Sequence, residues 1–293
     1  MISSILLLFV FSFASTNAGV MKRVITPLPA NGKFDYQIGG AYTPDVDVQV
    51  VTRDRTDSPA PNKYNICYIN AFQTQTDDNA FWKCKFFYLA LSDPQPIFIH
   101  IAPAPERDHL LLRRANGNYF IDPGWPGEIL FDTSTAANRE EIATIINGWI
   151  SGCQQSGFSA IEPDNFDSYS RSNGRLTFNN NVQLAKLLAD YAHSLNMAFG
   201  QKNAAEKSVQ AKAGAGFDFA IAEQCQEFDE CDSYTDVYGN QVLEIEYYDT
   251  GLSGNGLDNF NDACQARGSQ ISVIFRDVDV KPAGANGRVY QEC

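Results

Sequence analysis

Residues 158–167 read FSAIEPDNFD, and residues 217–232 read FDFAIAEQCQEFDECD. Each stretch opens as a short apolar run and closes in a cluster of carboxylates. A charge inside a strand is costly unless it is paired or functional. Both stretches therefore read as buried strands whose C-terminal tips carry acids. Similar runs recur: FDYQIGG (34–40), VDVQVV (46–51), YNICYIN (64–70), EILFD (128–132), MAFGQKN (197–203), VLEIEYY (242–248) and QISVIFRD (270–277). Helical periodicity fills many of the gaps. Thr135 to Gln155 places Ile142, Ile145, Ile146, Trp149 and Ile150 on one face, and Phe178 to Asn196 does the same with Val182, Leu184, Leu187, Leu188, Tyr191 and Leu195. Asn203 to Ala213 and Leu257 to Arg267 read as shorter helices.

Strands alternating with helices predict parallel β/α units, and about eight of them over roughly 250 residues predict an α/β protein, a (β/α)8 TIM barrel. Nine candidate strands leave one as a peripheral addition. An open doubly wound sheet is the alternative, but the chain has no GxGxxG or phosphate loop for the nucleotide-binding version. Residues 72–127 fit the repeat least. They contain a polar stretch, the Pro-flanked PQPIFIHIAPAP (94–105) and the loop-like ANGNYFIDPGWPGE (115–128). They read as an elaborated loop region over one face of the barrel.

In such a barrel the site is built where strands end and βα loops begin. Glu162 and Asp164 share a strand face, with Asn165 and Asp167 just beyond. Glu223 ends a second strand, and Glu244, Glu246 and Tyr247 lie near the end of a third. Paired acids at strand tips fit glycoside hydrolysis, in which one carboxyl protonates the glycosidic oxygen and the other attacks the anomeric carbon or activates water. The same acids would also serve as helix N-caps. Lys202, at another strand tip, can pair with Asp164 and keep it ionised. Trp125, Tyr169, Tyr234, Tyr238, Tyr247 and Tyr248 fall in loop or strand-end positions suited to stacking on sugar faces.

The 35 acidic residues against 22 basic ones, a net charge of −13, exclude the basic footprint of a nucleic-acid binder and suit a cationic ligand. The first 18 residues carry no charge and hold an apolar run from Ile5 to Phe13. They predict a secretory signal cleaved after Ala18, leaving residues 19–293 as a single extracellular domain with no membrane span. In an oxidising compartment most of the seven cysteines should pair: Cys225 with Cys231, Cys264 with Cys293, and Cys67 with Cys84, leaving Cys153 as a buried filler. There is no CxxC, and His100, His109 and His193 are scattered, so no metal or cofactor is expected. A monomer is expected.

GFSAIEPDNFDSY (157–169), FGQKN (199–203), FDFAIAEQCQEFDEC (217–231) and EIEYYDT (244–250) together resemble the barrel domain of glycoside hydrolase family 114, the endo-α-1,4-polygalactosaminidases. The resemblance implies a secreted hydrolase cutting α-1,4-linked galactosamine polymers internally. It implies Asp164 as nucleophile and Glu223 as general acid/base. Glu162, Asn165, Asp167, Lys202, Asn203, Glu246 and Tyr247 would line the site, and a Cys225–Cys231 bridge would brace the Glu223 loop. A polymer of free amines is cationic, which an acidic cleft would attract. The chain departs from the family pattern after NICYIN, where AFQTQTDDNAFWKC (71–84) replaces the usual turn, aromatic and acid. A carbohydrate-binding protein without activity, or a hydrolase of another α-glycan, are the competing readings.

Overall fold

The computed structural model describes residues 24–83, 106–248 and 255–293. The expected leader, the segment PQPIFIHIAPAP with His100, and Cys84 and Asp249 lie outside them. Eight strands follow one another in parallel: β1 (Phe34–Gln37), β2 (Val50–Asp54), β3 (Tyr64–Asn70), β4 (Ala160–Asp164), β5 (Ala198–Lys202), β6 (Phe219–Glu223), β7 (Val242–Tyr247) and β8 (Ser272–Arg276). A ninth strand, β9 (Tyr290–Glu292), pairs antiparallel with β8. The helices are α1 (Asn79–Trp82), α2 (Ala136–Ser156), α3 (Ser168–Arg171), α4 (Phe178–Ser194), α5 (Ser208–Ala215), α6 (Asp232–Tyr238) and α7 (Gly256–Arg267). This is the α/β barrel expected from the strand–helix repeat.

The barrel closes between β8 and β1 through side chains. Ser272 Oγ donates to the Gly32 carbonyl at 2.6 Å and Tyr290 OH to the Phe34 carbonyl at 2.9 Å. The Arg276 guanidinium donates to the Tyr36 carbonyl. Strand alternation separates two cores. Inward-facing Phe34, Tyr36, Ile66, Ala160, Phe219, Ile221, Leu243 and Ile245 fill the barrel. Outward-facing Cys67, Ile69, Ile161 and Phe199 meet Ile142, Ile146 and Ile150 of α2 and Leu184 and Leu188 of α4. Each large apolar side chain buried this way contributes about 1.5–3 kcal/mol. At Gly200 a Cβ would lie 2.7 Å from the Phe219 ring, so the interior beside β6 admits only glycine on β5.

Several details differ from the sequence expectation. The second strand falls at Val50–Asp54, later than the apolar run 46–51. EILFD is no barrel strand: Ile129, Leu130 and Phe131 make isolated antiparallel bridges to Ile121, Gln73 and Leu111, within the elaboration laid over the barrel. In the acid-rich stretch 217–232, the last acid, Asp232, opens α6. Cys67 pairs with Cys153, not with Cys84, because β3 turns Cys67 outward onto the face where α2 carries Cys153. The expected Cys225–Cys231 and Cys264–Cys293 bridges are present. Among the described residues, no helix is long and apolar enough to cross a membrane.

Candidate active site

The inward face of the barrel changes from apolar to polar toward its C-terminal rim. On β4 the alternation that turns Ala160 inward also turns Glu162 and Asp164 inward. On β6 it aligns Glu223 with Phe219 and Ile221, and on β7 it aligns Tyr247 with Leu243 and Ile245. Lys202 comes from the end of β5 and is 1% exposed. Its Nζ donates to Glu162 Oε1 at 2.9 Å and to Tyr36 OH at 3.0 Å. It also stands 3.3 Å from Asp164 Oδ1 and 3.3 Å from Glu223 Oε1. One buried ammonium thus gathers three carboxylates from β4 and β6. The facing oxygens of Asp164 and Glu223 can be no further apart than twice the distance each keeps from that nitrogen.

Each carboxylate has its own further partners. Tyr68 OH donates to Asp164 Oδ2 at 2.6 Å, and Asn165 Nδ2 approaches the same oxygen at 3.3 Å. Tyr247 OH donates to Glu223 Oε1 at 2.6 Å, and Asn203 Nδ2 donates to Oε2 at 2.9 Å. Asn203 Oδ1 in turn accepts the Glu223 backbone N–H at 3.0 Å, which ties the ends of β5 and β6 together. Tyr36 OH donates to Glu162 Oε1 at 2.7 Å, while Glu162 Oε2 is buried without a partner. Burial pushes Asp164 up, but the adjacent Lys202 and the Tyr68 hydroxyl together outweigh it and hold the carboxyl below its usual value. Burial dominates at Glu162 and raises it despite Lys202. Burial pulls Lys202 down, yet Asp164, Glu162 and Glu223 together keep it well above its usual value.

Asp164, Glu223, Asn165, Asp167, Lys202, Asn203 and Tyr247 line one cleft of about 480 Å³. Glu162 lies beneath them, joined through Lys202. Asp167 is paired with Arg171 at 2.7 Å. Burial raises it, with Arg171 opposing. Glu246 is a correction: it sits on the outward face of β7, where Oε1 accepts the Gln226 backbone N–H at 3.0 Å and Oε2 is buried without a partner. Its neighbour in parity, Glu244, is held by Arg267 of α7. Burial raises Glu246 to about 8, against the Gln226 N–H and with the help of Glu244. Of the aromatics singled out, Trp125 and Tyr247 line the cleft and Tyr169 an adjoining hollow. Tyr234 and Tyr238 are buried, and Tyr248 is exposed without lining either cavity.

Sequence reading missed Tyr36 and Tyr68, which share the inward parity of β1 and β3. It also missed Asp122, Glu128 and Arg171. Asp122 and Glu128 come from the elaborated region, where the backbone N–H of Asp122 bonds the Glu128 carbonyl at 2.9 Å. GWPGE was visible as a motif, but nothing local indicated that it would fold back onto the rim. The Cys225–Cys231 pair with Glu244 is the sole clustered donor set of metal-ligand type among the described residues, and its sulfurs are spent in the disulfide.

A β/α barrel whose C-terminal rim brings two ionisable carboxyls together over one cleft is built for glycosidic bond cleavage, and this chain is a glycoside hydrolase. It belongs to glycoside-hydrolase family GH114, whose model matches residues 14–293. Among solved structures it is similar to Aspergillus fumigatus Ega3, determined in complex with galactosamine. That match has 22% identity and a TM-score of 0.66, and covers 93% of this chain and 100% of that one. It is also similar to the glycoside hydrolase domain of PelA from Pseudomonas aeruginosa. There the identity is 10% and the TM-score 0.48, with 86% of this chain and 96% of that one covered. No curated protein sequence matches the chain.

Proposed function

We propose that this protein is a secreted endo-acting hydrolase of α-1,4-linked, galactosamine-containing polysaccharide, with Asp164 as nucleophile and Glu223 as general acid/base. The observation that carries the reading is the common 3.3 Å approach of both carboxylates to Lys202 Nζ. Retaining glycosidases hold their carboxyls about 5–5.5 Å apart and inverting ones about 6.5–9.5 Å. A ceiling of twice 3.3 Å on the facing oxygens favours retention. In the first step Asp164 attacks the anomeric carbon while Glu223 gives its proton to the departing glycosidic oxygen. In the second, Glu223 takes a proton from water, whose oxygen displaces the Asp164 carboxylate. An Asp164 held ionised by Lys202 and Tyr68 suits the first role.

Internal cleavage is supported by a groove that continues past the site on both sides. The central cleft shares Asp167, Asn203, Glu223 and Gln224 with a hollow of about 290 Å³ toward Phe228 and Glu230. It shares Ile38, Gly39 and Gln75 with a hollow of about 300 Å³ toward Asp54, Asp57, Asp77 and Asp78. Acids at both ends suit a polycationic chain. The complex of Ega3 with galactosamine supports the same sugar class. Three disulfides support an oxidising compartment, and the proposal includes an 18-residue leader that directs a single domain from residue 19 onward to it.

The test is digestion of an α-1,4-galactosamine polymer by wild type, Asp164→Asn and Glu223→Gln, with product length and anomeric configuration followed by NMR. Internal fragments that initially retain the α configuration are expected from the wild type. Either substitution should lower the rate by about 10²–10⁴-fold, the range associated with a positioned acid or base. Undiminished cleavage by both variants would remove the assignment.

A further inference from the structure

Six carboxylates line the central cleft: Asp122, Glu128, Asp164, Asp167, Glu223 and Asp279. Five have a cationic partner within the protein. Asp122 and Asp167 pair with Arg171 at 2.8 and 2.7 Å. Asp164 and Glu223 share Lys202, and Asp279 pairs with Lys281 at 3.2 Å. Glu128 has no cation among the described residues. Its Oε2 accepts from Asn70 Nδ2 at 3.0 Å and from Gln73 Nε2 at 2.6 Å, and its Oε1 has no donor among the described residues.

The two amides are themselves oriented. Asn70 Oδ1 accepts from Asn165 Nδ2 at 2.9 Å, which commits the Asn70 NH2 to Glu128. Gln73 is fully buried, and its amide oxygen faces Arg171 Nη2 at 3.5 Å. The carboxylate is therefore built into place with one oxygen toward the cleft. Asn70 lies opposite Asp164 in the β3–β4 register, so Glu128 is one side chain removed from the nucleophile. Burial raises Glu128, the two amides oppose it, and the charges of Asp164 and Asp122 add to it. No positive charge among the described residues stands beside it to offset these effects. Trp125, 53% exposed, precedes it in the same turn, where the Glu128 N–H bonds the Trp125 carbonyl at 2.9 Å, and it lines the same cleft.

We propose that Glu128 is a specificity-determining residue: it receives the ammonium group of the amino sugar bound beside Asp164, with Trp125 as the platform for that sugar's apolar face. The proposal rests on the amino-sugar reading of the cleft given above. An N-acetylated unit carries no charge there. Its bound form leaves Glu128 desolvated without a counter-ion, which costs affinity, whereas an ammonium completes a charge-assisted hydrogen bond.

The experiment measures calorimetric affinities of two probes, an α-1,4-galactosamine tetramer and its fully N-acetylated counterpart. Wild type, Glu128→Gln and Glu128→Asp are compared, and cleavage of both probes by the wild type is recorded alongside. Gln keeps an oxygen for the two amides, and thermal unfolding verifies the fold. Wild type should prefer the free-amine probe. Glu128→Gln should lose at least tenfold in affinity for it, about 1.4 kcal/mol, with little change for the N-acetylated one. Glu128→Asp, charged but shorter, should keep an intermediate preference, and it carries the test if the Gln variant does not fold. A preference that survives both substitutions unchanged overturns the proposal, as does a wild type that binds the two probes equally. A wild type that prefers the amine through Glu128 yet cleaves neither probe sinks the hydrolytic reading and leaves this one standing.

Discussion

Replacing Lys202 with Met isolates the physics of the site. The substitution keeps most of the side-chain volume and removes the one positive charge shared by Glu162, Asp164 and Glu223. Breaking a buried ion pair by deleting one partner costs about 3–5 kcal/mol. Glu162 is fully buried and should account for most of that, while Asp164 and Glu223 are partly open to the cleft and are discounted. A loss of about 3–4 kcal/mol at pH 7 is expected, on the order of 10 °C in melting temperature for a chain of this size. The pH dependence gives the sharper test. In the wild type, Asp164 is held below its ordinary value, so its contribution is present above the unfolded pKa and is lost only as pH falls through the folded one. In the variant Glu162 and Asp164 lose the cation that lowers them, and their pKa values rise. Carboxyls raised in the folded state favour folding at low pH and lose that contribution as pH climbs. The gap between variant and wild type should therefore narrow between pH 7 and pH 5 in urea unfolding. Adding Glu162→Gln to Lys202→Met should recover part of the stability. A loss under about 1 kcal/mol, or a gap equal at both pH values, would refute the shared-cation account.

Glu246 makes the opposite contribution: raised to about 8, it costs stability progressively as pH rises from its unfolded value toward that point. Glu246→Gln should flatten the fall in unfolding free energy between pH 5 and pH 8 without abolishing hydrolysis, as read by denaturant titration and rate. The disulfides should differ in weight. Cys67–Cys153 spans 86 residues and Cys225–Cys231 spans 6. By chain-entropy reasoning their removal costs about 4–5 and about 2 kcal/mol, so paired Cys→Ser variants should unfold in that order in urea. Trp125→Ala should raise KM for oligomers by roughly tenfold with kcat little changed, since stacking of this kind is worth about 0.5–1.5 kcal/mol beyond the lost area. An equal fall in kcat would place Trp125 closer to the reacting bond than its position in the groove indicates.

The barrel was legible because its signals are local. Seven of the eight parallel strands coincide with apolar runs visible along the chain, and α2 and α4 follow a helical period with capping Thr residues at their starts. Glu162, Asp164, Lys202 and Glu223 were found because charge at the end of an apolar run is itself a local anomaly. Trp125 and Glu128 join the same cleft through a fold-back that no spacing encodes. Its bridges connect residue 73 to 130 and 111 to 131. β9 is three residues long and only partly buried, so it left no periodic trace, although it completes the seam beside β8.

Glu246 shows where alternation stops being informative. In a half-solvated antiparallel strand, parity is read from which residues are apolar. In a parallel barrel both faces are buried, one against the interior and one against helices, so polarity alone cannot assign the inward set. VLEIEYY offers two inward sets: Leu243, Ile245 and Tyr247, or Val242, Glu244 and Glu246. Glu246 and Tyr247 are neighbours within β7, so the two cannot both face the cleft. The choice is made by a distant residue. Arg267 of α7 binds Glu244 through Nε at 2.6 Å and Nη2 at 2.8 Å, which fixes that parity outward. With Glu244 and Glu246 committed to the helical layer, Tyr247 must turn inward, where its hydroxyl reaches Glu223. One helix-borne guanidinium thereby determines which β7 side chain meets Glu223.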